Sequence, residues 1–358
     1  MPSLNIPLSR LHNQQLSKTN FQTAKQVVEY LGAVQSQDYA AAKWALGLRA
    51  KRLSDTAIEQ AFTDRMILRT HVLRPTWHFV LPADIRWLLK LTAPRVKMSL
   101  ASYDRQAELD AALIKRSNHT LVKALRDGKQ LTRTELASAL QRTGISTDEL
   151  RLTHLIMHAE LDGIICSGPR RGKQFTYALL DEHAPQARIL SREASLAELT
   201  RRYFLSRGPA TLRDFVWWSG LTMADAKQGI EMVKSQLVSE TIDEQTYWFS
   251  ESTPRTRSKS TIAFLLPNYD EYIVGYTDRS SIFDSSHVKK LDARGNALFQ
   301  HTIMINGQIV GTWKRTLKKD SVEVELNPFK PLTKVEQQAV IDAANRYGEF
   351  LELPVILR

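Results

Sequence analysis

Residues 119–180 read as helix, helix, helix and then a hairpin with a basic turn, and the same order recurs twice more along the chain. A repeated unit of this kind constrains the fold strongly, because each copy has to close its own small core and present the same surface elements. In the clearest copy an amphipathic helix carrying Leu121, Val122 and Leu125 ends at Gly128. Thr132 caps a second helix through Glu135, the spacing of a capping box, with Leu136, Ala139 and Leu140 facing inward. Beyond the Gly144 turn, Leu152, Leu155, Ile156 and Ala159 form the apolar stripe of a third helix, closed by Asp162-Gly163. Residues 164–166 and 175–179 are then strands on either side of Arg170, Arg171 and Lys173, which is the order of a winged helix-turn-helix.

The other copies share the punctuation. Helices are expected over residues 23–31, 39–48 and from Ser54 or Asp55 to about 63, followed by strands 67–73 and 76–81 around Arg74-Pro75. Leu199, Tyr203 and Phe204 lie on a helix ending at Gly208-Pro209. Thr211 starts the next, Thr222 caps a third, and Val238 with Tyr247-Trp248-Phe249 suggest paired strands. Beyond residue 261 the pattern changes to strands: a buried run at 262–266, a hairpin around Asn306-Gly307, a half-exposed strand at 322–326 and a terminal amphipathic helix at 333–351. The expected organisation is a first winged helix over 1–81, a helical connector over 82–117, a second winged helix over 118–190, a third over 191–250 and a β-rich domain over 261–358. The polar stretch 251–260 is the expected linker.

With 358 residues, 43% hydrophobic and 24% charged, the chain buries a core in each domain. It has no apolar run long enough to span a membrane and no signal core at its N-terminus. A single cysteine, Cys166, excludes an internal disulfide framework and a thiolate-rich zinc site. Together these point to the cytoplasm. The net charge of +11 favours a polyanionic partner, with nucleic acid first.

Arg170, Arg171 and Lys173 are suited to phosphates, although a wing with three cations is also what a solvated turn looks like. His154 and His158, four apart on a helix, have the spacing to share a metal. They lack a third ligand, and their expected place is the face opposite the apolar stripe, toward DNA or solvent. Gly168 to Lys173 lacks P-loop spacing, and no Gly-x-Ser-x-Gly elbow occurs. One polar cluster stands out. Gln35-Ser36-Gln37 lies between two helices, with Gly32 before it and Asp38 after it as a candidate N-cap. In an extended segment the two amides project from the same side. The plainer alternative is a polar turn with a capping carboxylate.

Gln35-Ser36-Gln37, Trp44-x-x-Gly47-Leu48-Arg49, Leu73-Arg74-Pro75-Thr76-Trp77-His78-Phe79-Val80, Leu265-Leu266-Pro267-Asn268-Tyr269-Asp270-Glu271-Tyr272 and Gly311-Thr312-Trp313 together resemble the AlkZ/YcaQ family of bacterial DNA glycosylases. The resemblance spans nearly the whole chain. The family signature is Gln-x-Gln in one branch and Gln-x-Asp in the other; Gln35 and Gln37 match the AlkZ branch, while Ser36 stands where an apolar residue is usual. The resemblance implies a mainly helical α+β fold of three tandem winged helices in a C-shaped arrangement with a β-rich C-terminal domain. It implies monofunctional excision of N7- or N3-alkylated purines in base excision repair, in some relatives including interstrand crosslinks. The expected partner is double-stranded DNA, bound by a monomer without cofactor or metal, in the cytoplasm at the nucleoid.

On this reading Gln37 positions water near the anomeric carbon and Gln35 is its partner. Asp38 is a candidate for electrostatic support beside its role as a cap. His78 and Arg74, in the first wing, approach the backbone or lesion, or else are ordinary strand residues. The candidate DNA contacts are Arg49, Arg74, Arg170, Arg171, Lys173, Asn306, Lys314 and Arg315, with the Asn306-Gly307 hairpin and the Arg170-Arg171 wing both able to probe a groove. Asp270 and Glu271 are paired carboxylates, for which a structural ion pair with Arg279 is the alternative. The competing function class is a non-enzymatic winged-helix DNA binder or transcription regulator. It accounts for charge and repeats, but calls for neither paired glutamines nor a terminal β domain.

Overall fold

A computed structural model describes residues 4–254, 260–284, 286–287 and 299–358. The chain is mixed α/β and forms two compact units. The first comprises Met1–Glu59, Leu199–Trp218 and Thr222–Arg358; the second comprises Gln60–Glu198 with Ser219–Leu221. No described helix is long and apolar enough to cross a membrane.

The chain opens with α1 (Ile6–Asn13), α2 (Ala24–Leu31), the short extended β1 (Val34–Gln35), α3 (Tyr39–Leu48) and α4 (Asp55–Thr63). Local chemistry sets these boundaries. Thr23 and Gln26 form a capping box for α2, Gly32 ends it with φ 78°, and the Asp38 carboxylate caps α3. Helix α1, capped by Asn5, is an addition to the sequence reading.

In the second unit β2 (Leu68–Val72) pairs antiparallel with β3 (Arg74–Val80). The chain reverses at Leu73, φ 65°, so Arg74-Pro75 lies inside β3 and not in the turn. Then come α5 (Ile85–Gln106), α6 (Ala111–Leu125), β4 (Leu131–Thr132), α7 (Arg133–Gln141), α8 (Glu149–Leu161), β5 (Ile165–Arg171), β6 (Gln174–Leu179), α9 (Leu180–His183) and α10 (Arg192–Arg207). The Thr132/Glu135 capping box forms as expected. Leu121, Leu136, Leu140, Leu155, Ile156 and Ile165 share one core, and β4, β6 and β5 make a small sheet beside it. Helix α6 begins at Ala111, inside the expected connector, because Asp110 caps it there.

Helix α8 has a second buried face. Met157 and Leu161 pack on Ala93, Val96 and Leu100 of α5. His154 and His158 are therefore buried rather than turned to DNA or solvent, and both bond Asp104 of α5, at 2.9 and 3.0 Å.

The first unit resumes at Leu199, within α10, and continues with α11 (Leu212–Ser219), α12 (Met223–Val233), the β7 (Val238–Ile242) and β8 (Gln245–Phe249) hairpin, β9 (Ala263–Leu266), α13 (Glu271–Val274), β10 (Thr302–Ile305), β11 (Gln308–Leu317), β12 (Val322–Pro328), α14 (Lys334–Leu351) and β13 (Val355–Leu357). Strands β13-β12-β11-β10-β9 form one sheet, antiparallel except where β13 joins β12. Asn306 and Gly307 make its tight turn with φ 50° and 85°. Of the expected linker, residues 255–259 lie outside the described residues.

Candidate functional site

Strand β1 ends at Gln35 and the chain bends at Gln37. Alternation therefore does not carry through: Gln35 and Ser36 are buried, and Gln37 is exposed. The main chain beneath them is held by a fully buried ion pair. Glu271 Oε1 accepts the Gln35 N–H at 2.9 Å, and its Oε2 accepts from Arg207 Nε and Nη2 at 3.0 and 2.7 Å and from the Trp218 indole at 3.0 Å. Arg207 also donates to the carbonyls of Leu31 and Ala33, at 2.7 and 2.9 Å. One guanidinium and one carboxylate thus fix the backbone from the end of α2 to Gln35. Both side chains are fully buried, and charge-assisted bonds of this kind are the strong ones.

Helix α3 is seated by its sequence motif. The Trp44 indole donates to the Leu265 carbonyl at 2.7 Å, and the Trp313 indole to that of Leu266 at 2.9 Å. Trp44, Tyr347, Phe350 and Trp313 form a continuous aromatic cluster. A Cβ on Gly47 would lie 2.6 Å from the Phe350 ring, so glycine is what lets α3 lie this close. Arg49 is buried, with both terminal nitrogens on Asp270 at 2.8 and 2.9 Å. Burial alone would lower its pKa, but Asp270 opposite more than offsets that and raises it. This corrects two expectations. Arg49 spends its charge on a buried carboxylate rather than on phosphate, and the partners of Asp270 and Glu271 are Arg49 and Arg207, not Arg279, which bonds the Ile273 and Thr277 carbonyls.

Asp38 is committed at both oxygens. Oδ1 accepts the Ala41 N–H at 3.0 Å, and Oδ2 accepts from the Asn268 amide at 3.3 Å. The Asn268 N–H in turn donates to His301 Nδ1 at 2.9 Å, so in the neutral ring the proton sits on Nε2. His301 had no sequence signal, since nothing in its neighbourhood on the chain carries a motif. Its pKa falls to about 4 because burial penalises the charged form; Arg315 adds to this and Asp38 opposes it. His183, in the second unit, also falls to about 4, by burial and Arg65. Unfolded, both titrate near 6.5, so between that pH and about 4 the unfolded chain binds more protons and stability is lost as pH falls. The melting temperature should decline across this window, and less steeply in the H183Q/H301Q double variant; an unchanged slope would refute the assignment.

Other candidates are placed as follows. In the second unit, His78 is buried with Nδ1 against the Thr76 carbonyl, which removes it from contact with a substrate, and Arg74 is half-buried. Arg170 is half-buried over the Phe175 ring. Arg171 is exposed but bonds Glu135 and the Gln130 carbonyl, and Lys173 is exposed beside Gly172 at the tip. In the first unit, Asn306 is exposed, yet its carboxamide accepts the Ile262 N–H, and Gly307 is packed against Pro7 and Tyr272. Lys314 is exposed, and Arg315 bonds the Tyr347 hydroxyl.

Residues 28–350 match the family described as DNA glycosylase AlkZ-like. Among characterised proteins the chain is similar to an interstrand DNA cross-link repair glycosylase of Streptomyces sahachiroi, 22% identical over 354 residues, covering 92% of this chain and 91% of that protein. Among solved structures it is similar to the Streptomyces sahachiroi DNA glycosylase AlkZ, with a TM-score of 0.81, 20% identity and full coverage of both chains.

Proposed function

The chain belongs to the AlkZ-like family of DNA glycosylases and is a DNA repair glycosylase, and from that premise we propose that it hydrolyses the N-glycosidic bond of cationic alkylated purines, with Gln37 and Gln35 carrying the chemistry. The observation that supports this most directly is the division of labour around α3. The neighbouring carboxylates hold structure, Asp38 bonding Ala41 and Asn268 and Glu271 bonding Arg207, and Gln37 lies next to Asp38 in sequence at a solvent-exposed position at the start of α3.

An amide cannot serve as a general base at neutral pH. An N7- or N3-alkylated purine does not need one strongly, because it already carries the positive charge that makes it a good leaving group. The C1′–N bond breaks with its electron pair going to the purine, which departs neutral, and water adds at C1′ and releases its proton to solvent. What remains for the protein is to hold that water and to favour an oxocarbenium-like sugar with fixed dipoles. Gln37 holds the water and Gln35 supports it. Asp38, held in place by its two donors, adds electrostatic support at the start of α3. Neutral damage is a poor substrate. Crosslinked purines fall within the same chemistry, in keeping with the name of the Streptomyces relative.

The three repeated units are read as tandem winged helices, over residues 1–81, 118–190 and 191–250, ahead of the β-rich 261–358. They bind double-stranded DNA as a monomer without cofactor, in the cytoplasm. Lys173, Arg170, Arg171, Arg74 and Lys314 meet phosphates, and the Asn306-Gly307 turn follows a groove. Lys173→Ala should weaken binding to all duplexes alike and reduce the slope of log affinity against log salt by about 1; a sequence-dependent loss would contradict a phosphate role.

The decisive experiment is incubation with duplex DNA carrying N7-methylguanine, followed by alkaline cleavage of abasic sites. If no abasic sites appear across several cationic lesions and a crosslink, the substrate assignment fails.

A further inference from the structure

Helix α3 follows Gln37 and Asp38, and at its far end it borders a cavity of about 950 Å³ that lies wholly within the first unit. Ten residues at about 1.5 Å each put the two ends of α3 about 15 Å apart. The floor of the cavity is apolar, made by Trp44, Gly47 and Phe350. Of the cations in the turn after α3, Arg49 is buried on Asp270, whereas Lys51 and Arg52 are exposed and line the cavity together with the half-buried Arg346. Among the described residues none of these three pairs with a carboxylate, and Arg346 donates to the Leu48 carbonyl at 2.7 Å. Burial lowers the Arg346 pKa, with Glu349 opposing and Arg49 adding to the shift, so an anion in the cavity would relieve a cation that the fold leaves poorly compensated. Two carboxylates complete the wall: Glu349, and Glu352, which accepts from the Thr56 hydroxyl at 2.7 Å and has lone pairs for further donors.

We propose that this cavity is a nucleotide-binding site, with the phosphate on Lys51 and Arg52, the base against the apolar floor, and Glu349 and Glu352 accepting from the exocyclic amine of the base. Each part of the lining excludes a simpler ligand. The carboxylates repel a bare polyanion, the cations repel an amine, and neither of those ligands needs an apolar floor. A nucleotide matches all three parts, and the volume lies within the range of small-molecule sites. The nucleotide is an unpaired one of a bound DNA strand, about four steps of 3.4 Å from the glutamine segment, or a mononucleotide from solution; the recognising chemistry is the same. The site needs neither glutamine and stands apart from the hydrolysis reading.

The test is calorimetric titration with 2′-deoxyadenosine 5′-monophosphate, beside inorganic phosphate, 2′-deoxyadenosine, and thymidine 5′-monophosphate, which lacks the exocyclic amine. Wild type should bind deoxyadenylate about 10- to 100-fold more tightly than phosphate or the nucleoside, and more tightly than thymidylate. Lys51→Ala with Arg52→Gly should lose that factor toward deoxyadenylate and bind the nucleoside as before. Arg52 has φ 52°, which glycine takes at lower cost, so the double variant should melt no lower than wild type and its lost binding is not a folding defect. Deoxyadenylate bound no better than phosphate, or equally well by wild type and the double variant, overturns the inference and leaves the hydrolysis reading intact. Once the loss is seen, a second arm assigns the source by comparing a fully paired duplex with one that carries a single unpaired deoxyadenosine. A preference for the unpaired nucleotide that the double variant loses places the site on the DNA strand, and equal binding of the two duplexes assigns it to a mononucleotide from solution.

Discussion

Gln37→Ala is expected to lower single-turnover excision of N7-methylguanine by about 10²- to 10³-fold, the range seen when one preorganised dipole is removed from a transition-state site. Affinity for the same duplex should change by no more than a few-fold. The split follows from position. Gln37 is exposed, and Asp38 caps the start of α3, so the helix and the backbone that presents it survive the change. Rapid quench of enzyme in excess gives the rate, and fluorescence anisotropy gives the affinity. A parallel loss of both would make Gln37 a DNA contact and return the chemistry to another group.

Arg207→Met should be the most destabilising single change near the site. It leaves Glu271 buried without its cation and strips the Leu31 and Ala33 carbonyls of their donors. Breaking one partner of a buried pair costs about 3–5 kcal/mol, mostly because the remaining charge is left uncompensated. Removing both charges, in Arg207→Met with Glu271→Met, should recover part of that loss. Urea unfolding followed by tryptophan fluorescence reads both, since Trp218 bonds Glu271 directly. Activity should not return with stability, because the Gln35 N–H has then lost its acceptor. Equal loss in the single and double variants would mean that the pair adds nothing beyond packing.

The repeated helices were legible because their signals are local. Thr132 with Glu135 and Thr222 with Asp225 cap helices three residues away, and Asn306-Gly307 needs only its own backbone to turn a hairpin. The Asp38 cap was legible for the same reason, whereas the alternation expected of Gln35 and Gln37 did not form. What the chain pattern did not reveal depends on partners far apart in sequence. Arg207 reads as an ordinary helix-end cation until Glu271 is beside it, and His301 has no neighbour on the chain that hints at Asn268 or Asp38. Arg49 reads as a DNA contact until the fold brings Asp270 to it, and His154 and His158 read as surface residues because α5 covers a face that periodicity leaves polar.

The seat of the glutamine segment also sets an order of events during synthesis. Gln35 and Gln37 leave the ribosome early, but Arg207, Glu271, Leu265, Trp313 and Phe350, which hold that segment and α3, emerge much later. A nascent chain therefore carries the Gln35–Gln37 loop without these supports until residues 207–350 have been added, and a product cut short before Glu271 keeps both glutamines without the carboxylate that accepts the Gln35 N–H. On the roles proposed for Gln35 and Gln37, base excision is thereby withheld from such fragments.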